Sequence, residues 1–90
     1  MNFAGGIGMS VTHELKTWPE YFLPVIKGKK RFEIRKNDRE FQVGDKVWLK
    51  EWDPKRECFT GMAVKFDITY ITDFGQPKGQ IVMGIELSNV

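Results

Sequence analysis

Between Met62 and Tyr70 the chain alternates without a break. Met62, Val64, Phe66, Ile68 and Tyr70 fall on one parity, and Ala63, Lys65, Asp67 and Thr69 on the other. A side-chain period of two belongs to a strand with one buried face and excludes an amphipathic helix over the same residues. The period recurs where Val11, His13 and Leu15 alternate with Thr12, Glu14 and Lys16. It recurs again where Val47 and Leu49 oppose Trp48, Lys50 and Trp52, and in Ile81, Met83, Ile85 and Leu87. Turn-forming residues separate these runs: Gly44-Asp45 ahead of a strand from Lys46 to Trp52, Asp53-Pro54-Lys55-Arg56 as a hairpin loop, and a loop from Asp73 to Gly79. A fifth run follows Gly28. Phe32 and Ile34 alternate there with Arg31, Glu33 and Arg35, which predicts a half-buried strand with a charged ladder on its second face. Lys30 shares the parity of the apolar residues, so it joins the ladder only if the turn after Gly28 redirects it, which glycine permits.

One stretch reads as helix. Thr17-Trp18-Pro19-Glu20 has capping-box spacing, with Thr17 as N-cap, proline in the first turn and Glu20 at the third helical position. The helix is predicted from Trp18 to Lys27, with Gly28 as its C-terminal stop and Phe22, Val25 and Ile26 as its apolar face. Pro24 removes the bond to the Glu20 carbonyl, and an interior proline costs ~3 kcal/mol or more, so a kink or a restarted turn is expected there. Five strands and one early helix, with no helix between the later strands, imply a mainly β fold: a mostly antiparallel sheet curled into a small barrel. Gly84, inside the last strand, fits a bulge or a close backbone approach.

Ninety residues are enough for one modest core, so residues 10–90 are expected to form a single domain. Residues 1–9, with Gly5, Gly6 and Gly8, are expected to be a flexible tail. A single cysteine, Cys58, excludes an internal disulfide framework, and with a single histidine it leaves too few soft ligands for structural zinc; no metal or cofactor is expected. No apolar run approaches transmembrane length, and the first residues lack the basic start of a secretory signal, so the expectation is a cytoplasmic protein. Net charge is only +2, but seven of the fourteen Lys and Arg residues fall between Lys27 and Arg39, a stripe suited to anions.

Gly28, Lys30, Glu33 and Arg35 stand at the spacing G-x-K-x-x-E-x-R. In this the chain resembles ASCH domains of the PUA-like superfamily. His13-Glu14-Leu15-Lys16, the run from Trp18 to Phe22, and Phe41-Gln42-Val43-Gly44-Asp45 are similar to a small bacterial and phage branch, the DUF3850 family. The resemblance extends over roughly residues 11 to 87 and implies a PUA-like pseudo-barrel with its helix packed at one side. It also implies that the segment after Gly28 lines a cleft between helix and barrel that takes RNA or a nucleotide-like ligand. Some ASCH-like enzymes hydrolyse N4-acetylcytidine or cleave RNA. The acetylcytidine amidohydrolases carry the lysine matching Lys30 and the arginine matching Arg35, but a threonine where this chain has Glu33. Their further catalytic glutamate lies in an extra helical segment that here is replaced by Thr72 to Gly79.

The residue types suit binding. Arg35 offers a planar fork and Lys30 a point charge for a phosphate or base edge, and Glu33 can accept from an amine or hold Arg35. Trp18 and Tyr21 are candidate stacking platforms, and His13 is a further pocket candidate. The expectation is a binding domain for RNA or a modified nucleotide. Two alternatives stand beside it: a small amidohydrolase or ribonuclease acting through Lys30, and a protein-interaction module, of phage type, presenting Trp48 and Trp52.

Overall fold

A computed structural model describes residues 10–89; the tail expected at 1–9 lies outside them. The elements in order are β1 (Thr12–Thr17), α1 (Pro19–Ile26), β2 (Phe32–Lys36), β3 (Lys46–Asp53), β4 (Cys58–Thr72) and β5 (Gln80–Leu87). The strands form one sheet in the order β1-β3-β4-β5-β2. Only the β1–β3 pair is parallel, so the mainly β, mostly antiparallel expectation holds. The sheet is curled into a half-barrel. One face of each strand points inward: Leu15, Val47, Leu49, Phe66, Ile68, Ile81, Met83 and Ile85 are buried there, with Phe22 and Val25 of α1 and Phe41 of the β2–β3 loop packed on them.

The free edges of β1 and β2 have no backbone ladder between them. Arginines span the gap instead. Arg35 on β2 donates to the Lys16 carbonyl at 3.3 Å and to Thr17 Oγ1 at 3.2 Å, and Arg39 from the following loop donates to the Glu14 carbonyl at 2.7 Å. Exposed edge carbonyls invite pairing with another chain, and these side chains occupy two of them.

Two local readings are corrected. Thr17 is not an N-cap; it is the last residue of β1, its hydroxyl donating to the Leu15 carbonyl at 3.3 Å. The residue before a proline is driven to extended geometry, so Trp18 takes φ −71° and ψ 151° and caps α1 with its carbonyl alone, which accepts from the Tyr21 and Phe22 amides. The second correction concerns β2. Glu33 opposes Met83 and Arg35 opposes Ile81, so the charged parity points inward, while Phe32 and Ile34 face out beside Gly84 and Val82. Phe32 and Ile34 are 42% and 47% exposed, and Glu33 only 3%.

Two features of β4 were hidden by its clean alternation. It runs much further than the alternating segment, from Cys58, and its register against β5 shifts between Ile68 and Tyr70. A bulge re-aims the side chains that follow it, so Tyr70 is exposed and Ile71 partly buried. Gly84 sits across from this bulge, where an added Cβ would lie 3.2 Å from Thr69 Oγ1. Among the described residues no helix is long and apolar enough to cross a membrane.

A cationic cleft beneath the helix start

The end of α1 aims the site. Gly28 has φ +75°, its amide donates to the Val25 carbonyl, and the Lys29 amide donates to the Pro24 carbonyl. This is a Schellman closure, with glycine supplying the left-handed residue. The Lys30 amide also donates to Pro24 O, so the chain reverses sharply and Lys30 is redirected across the strand it precedes. Its Nζ reaches Glu33 Oε2 at 2.6 Å and the Phe32 carbonyl at 2.7 Å.

Glu33 is therefore a buried carboxylate held from both sides. Arg35 donates to Oε1 through Nε at 3.1 Å and through Nη2 at 2.9 Å, while Lys30 occupies Oε2. A buried charge is tolerated only when it is paired and hydrogen-bonded, and this double pairing is why β2 can bury its charged parity. It also fixes what remains for a ligand. Both Glu33 oxygens are engaged, so Lys30 keeps one ammonium hydrogen and Arg35 one Nη1 hydrogen uncommitted among the described residues. The floor offers donors.

Above this floor lies an open cleft of about 620 Å³, bordered by Trp18, Tyr21, Phe32 and Ile34 and by Lys16, Thr17 and Glu20. Trp18 is 47% and Tyr21 52% exposed. Five residues expected to bind ligand, Trp18, Tyr21, Lys30, Glu33 and Arg35, thus meet around one concavity. A second hollow of about 710 Å³ lies past the C-terminal end of α1, so Lys30 borders both.

His13 is elsewhere. It is buried at the opposite end of β1, its Nε2 2.8 Å from Asp45 Oδ2 and its ring tilted against Phe41 at 4.6 Å. Asp45 also accepts from the Val11 and Gln42 amides, so the pair ties the start of β1 to the turn before β3. Sequence reasoning missed Lys16, Thr17 and Glu20 as cleft residues. Lys16 lies on the polar parity of β1, and Glu20 was assigned to a capping box. Glu20 makes no hydrogen bond or ion pair among the described residues, so the cleft holds three cations, Lys16, Lys30 and Arg35, against two carboxylates. No group of three or more metal-ligating side chains occurs among the described residues.

The sequence matches the family described as a domain of unknown function, DUF3850, over residues 12–85. The chain belongs to the DUF3850 family. It is also similar to an uncharacterised 12.9 kDa protein in the GpA 3' region of Escherichia phage P2, with 45% identity over 65 residues, 72% of this chain. The match spans 58% of that phage protein's length. The DUF3850 match begins at the first residue of β1 and ends within β5, so it takes in α1, the Gly28 turn, β2 and the cleft they form.

Proposed function

We propose that this DUF3850 domain binds a nucleotide unit of RNA in the cleft beneath the start of α1. The carrying observation is the buried Glu33 carboxylate clamped between Lys30 and Arg35 at the floor of a cleft walled by exposed aromatic rings. Volumes of roughly 300–1,000 Å³ suit a small molecule or a single nucleotide. Trp18 and Tyr21 supply π-faces for a base, and the unspent hydrogens of Lys30 and Arg35 call for acceptors: phosphate oxygens or base carbonyls. The resemblance to ASCH and PUA-like domains supports the same ligand class. Uridine 5′-monophosphate is the simplest probe, since its base edge presents two carbonyls.

The test is calorimetric titration of uridine 5′-monophosphate at two salt concentrations. Wild type binds, Lys30→Ala weakens binding and makes it less sensitive to salt by removing a screened charge interaction, and Glu20→Gln tightens it by removing a negative charge from the wall. A folded wild type that binds nothing at low salt overturns the proposal. Glu20 favours a second reading, because an unpaired carboxylate lining the same cleft as Lys30 can serve as a general base. Binding without catalysis predicts no turnover of N4-acetylcytidine or single-stranded RNA. Turnover lost in both Lys30→Ala and Glu20→Gln would replace the binding reading with a hydrolytic one.

A further inference from the structure

Lys16 borders two surfaces. It lines the cleft, and its Nζ lies 3.8 Å from the centroid of the Trp52 ring on the outer face of the sheet. From there the outer face of β1, β3 and β4 continues as an alternation of cations and rings. Trp52 meets Phe59 edge-on at 5.0 Å, Lys50 Nζ stands 5.2 Å from the Phe59 ring, and Lys65 Nζ stands 4.9 Å from the Trp48 ring. The register explains the pattern: Trp52 opposes Phe59, Trp48 opposes Lys65, and Lys16 is the β1 partner of Lys50. Phe59 is 48% and Trp48 37% exposed. The outer face of β1, β3 and β4 carries Lys16, Lys46, Lys50 and Lys65 against Glu14, which pairs with Lys50 at 3.0 Å, and Asp67, which pairs with Lys46 at 2.6 Å. Lys16 and Lys65 are thus left without a carboxylate partner among the described residues.

We infer that the outer face around Trp52 and Phe59 is a platform for single-stranded nucleic acid continuing out of the cleft past Lys16. The inference rests on the reading of the cleft as a nucleotide site and enlarges its ligand from a nucleotide to a strand. Rings interleaved with lysines fit such a strand, because each base brings a π-face and each linkage a phosphate. A protein partner fits less well, since lysine is depleted at the centres of protein interfaces. A duplex keeps its bases stacked and offers the rings nothing to stack on. Each lysine now resting on a ring is long enough to swing to a phosphate when a base takes its place on the aromatic face.

The experiment is calorimetry of the full chain with uridine 5′-monophosphate and with hexauridylate, on wild type, Trp52→Ala, Trp52→Phe and Phe59→Ala. Hexauridylate binds wild type at least tenfold more tightly than the monophosphate. Trp52→Ala and Phe59→Ala each lower hexauridylate affinity about tenfold and leave the monophosphate unchanged, while Trp52→Phe retains most of the affinity. Phe59, exposed near the hairpin, keeps the test valid if Trp52→Ala does not fold. Equal affinities for the two ligands, or a hexauridylate affinity indifferent to both alanine variants, overturn the platform. So does a dimer by sedimentation that Trp52→Ala dissolves without changing hexauridylate binding. Hexauridylate binding that needs Trp52 while the monophosphate does not bind supports the platform and overturns the cleft reading alone.

Discussion

Glu33 holds the site together, and its environment sets the expected behaviour of its variants. Glu33→Gln keeps the shape but leaves Lys30 and Arg35 facing a neutral amide. Both cations are partly exposed and can regain water, so the expected loss is about 1–3 kcal/mol rather than the full cost of an orphaned buried charge. Urea denaturation checks it, and an unchanged midpoint would mean the clamp contributes nothing. A second residue-scale expectation concerns Asp67. The hydrogen bond from Lys46 Nζ at 2.6 Å, with a smaller contribution from Ser88, holds its carboxyl below the ordinary 3.8 against a partial desolvation. A lowered folded-state pKa adds stability above the unfolded value and loses it as pH falls through the folded one. Asp67→Asn should therefore melt slightly lower than wild type at pH 7, and the difference should close below about pH 3.8. Sequence named Glu33, Lys30 and Arg35 but put the wrong face of β2 inside. Periodicity reports only that two faces differ, and apolar Phe32 and Ile34 were the natural choice for the buried one. What reversed it was pairing in space: a carboxylate compensated by two cations can replace an apolar side chain at the core margin.

At the scale of elements, the closure of α1 positions the chemistry, because Lys30 reaches Glu33 only after the chain reverses at Gly28. Nothing lies within 4 Å of a Cβ added at Gly28, so Gly28→Ala meets no clash and suffers only the left-handed backbone, φ +75°. The expected cost is about 1 kcal/mol by thermal or chemical denaturation, with weaker nucleotide binding as Lys30 shifts. A variant as stable as wild type would show that the turn tolerates a side chain. This turn was legible because glycine after an apolar helical face is a strong stop signal. The start of the same helix was misread. Thr17 and Glu20 matched a capping box, but Pro19 forces Trp18 to be extended, and that leaves Thr17 in β1 and Glu20 free at the cleft. The alternating runs placed β1, β3 and β5 to within about a residue, while β4 extends beyond its run to Cys58 and Thr72. The bulge in β4 was not visible, because a bulge is defined against a partner strand and pairing is not written in one strand's period.

For the molecule as a whole, the curl of the sheet brings the two edge strands together without pairing them, and the arginine-bridged seam ends at the cleft. One residue, Arg35, serves both purposes: it ties β2 to β1 and forms half of the cationic floor. The fold class was legible from strand periodicity, but this seam was not, because strand order decides which edges meet. In the proposed binding mode a nucleotide sits on this floor with its base against Trp18. The most direct measurement is an amide and indole NMR titration of the ¹⁵N-labelled chain with uridine 5′-monophosphate at low salt. Saturable shifts are expected at the Trp18 indole, the Tyr21, Lys30, Glu33 and Arg35 amides and the Arg35 Nε–H, with His13 and Asp45 unmoved. Shifts confined to other surfaces, or none at millimolar nucleotide, would contradict it.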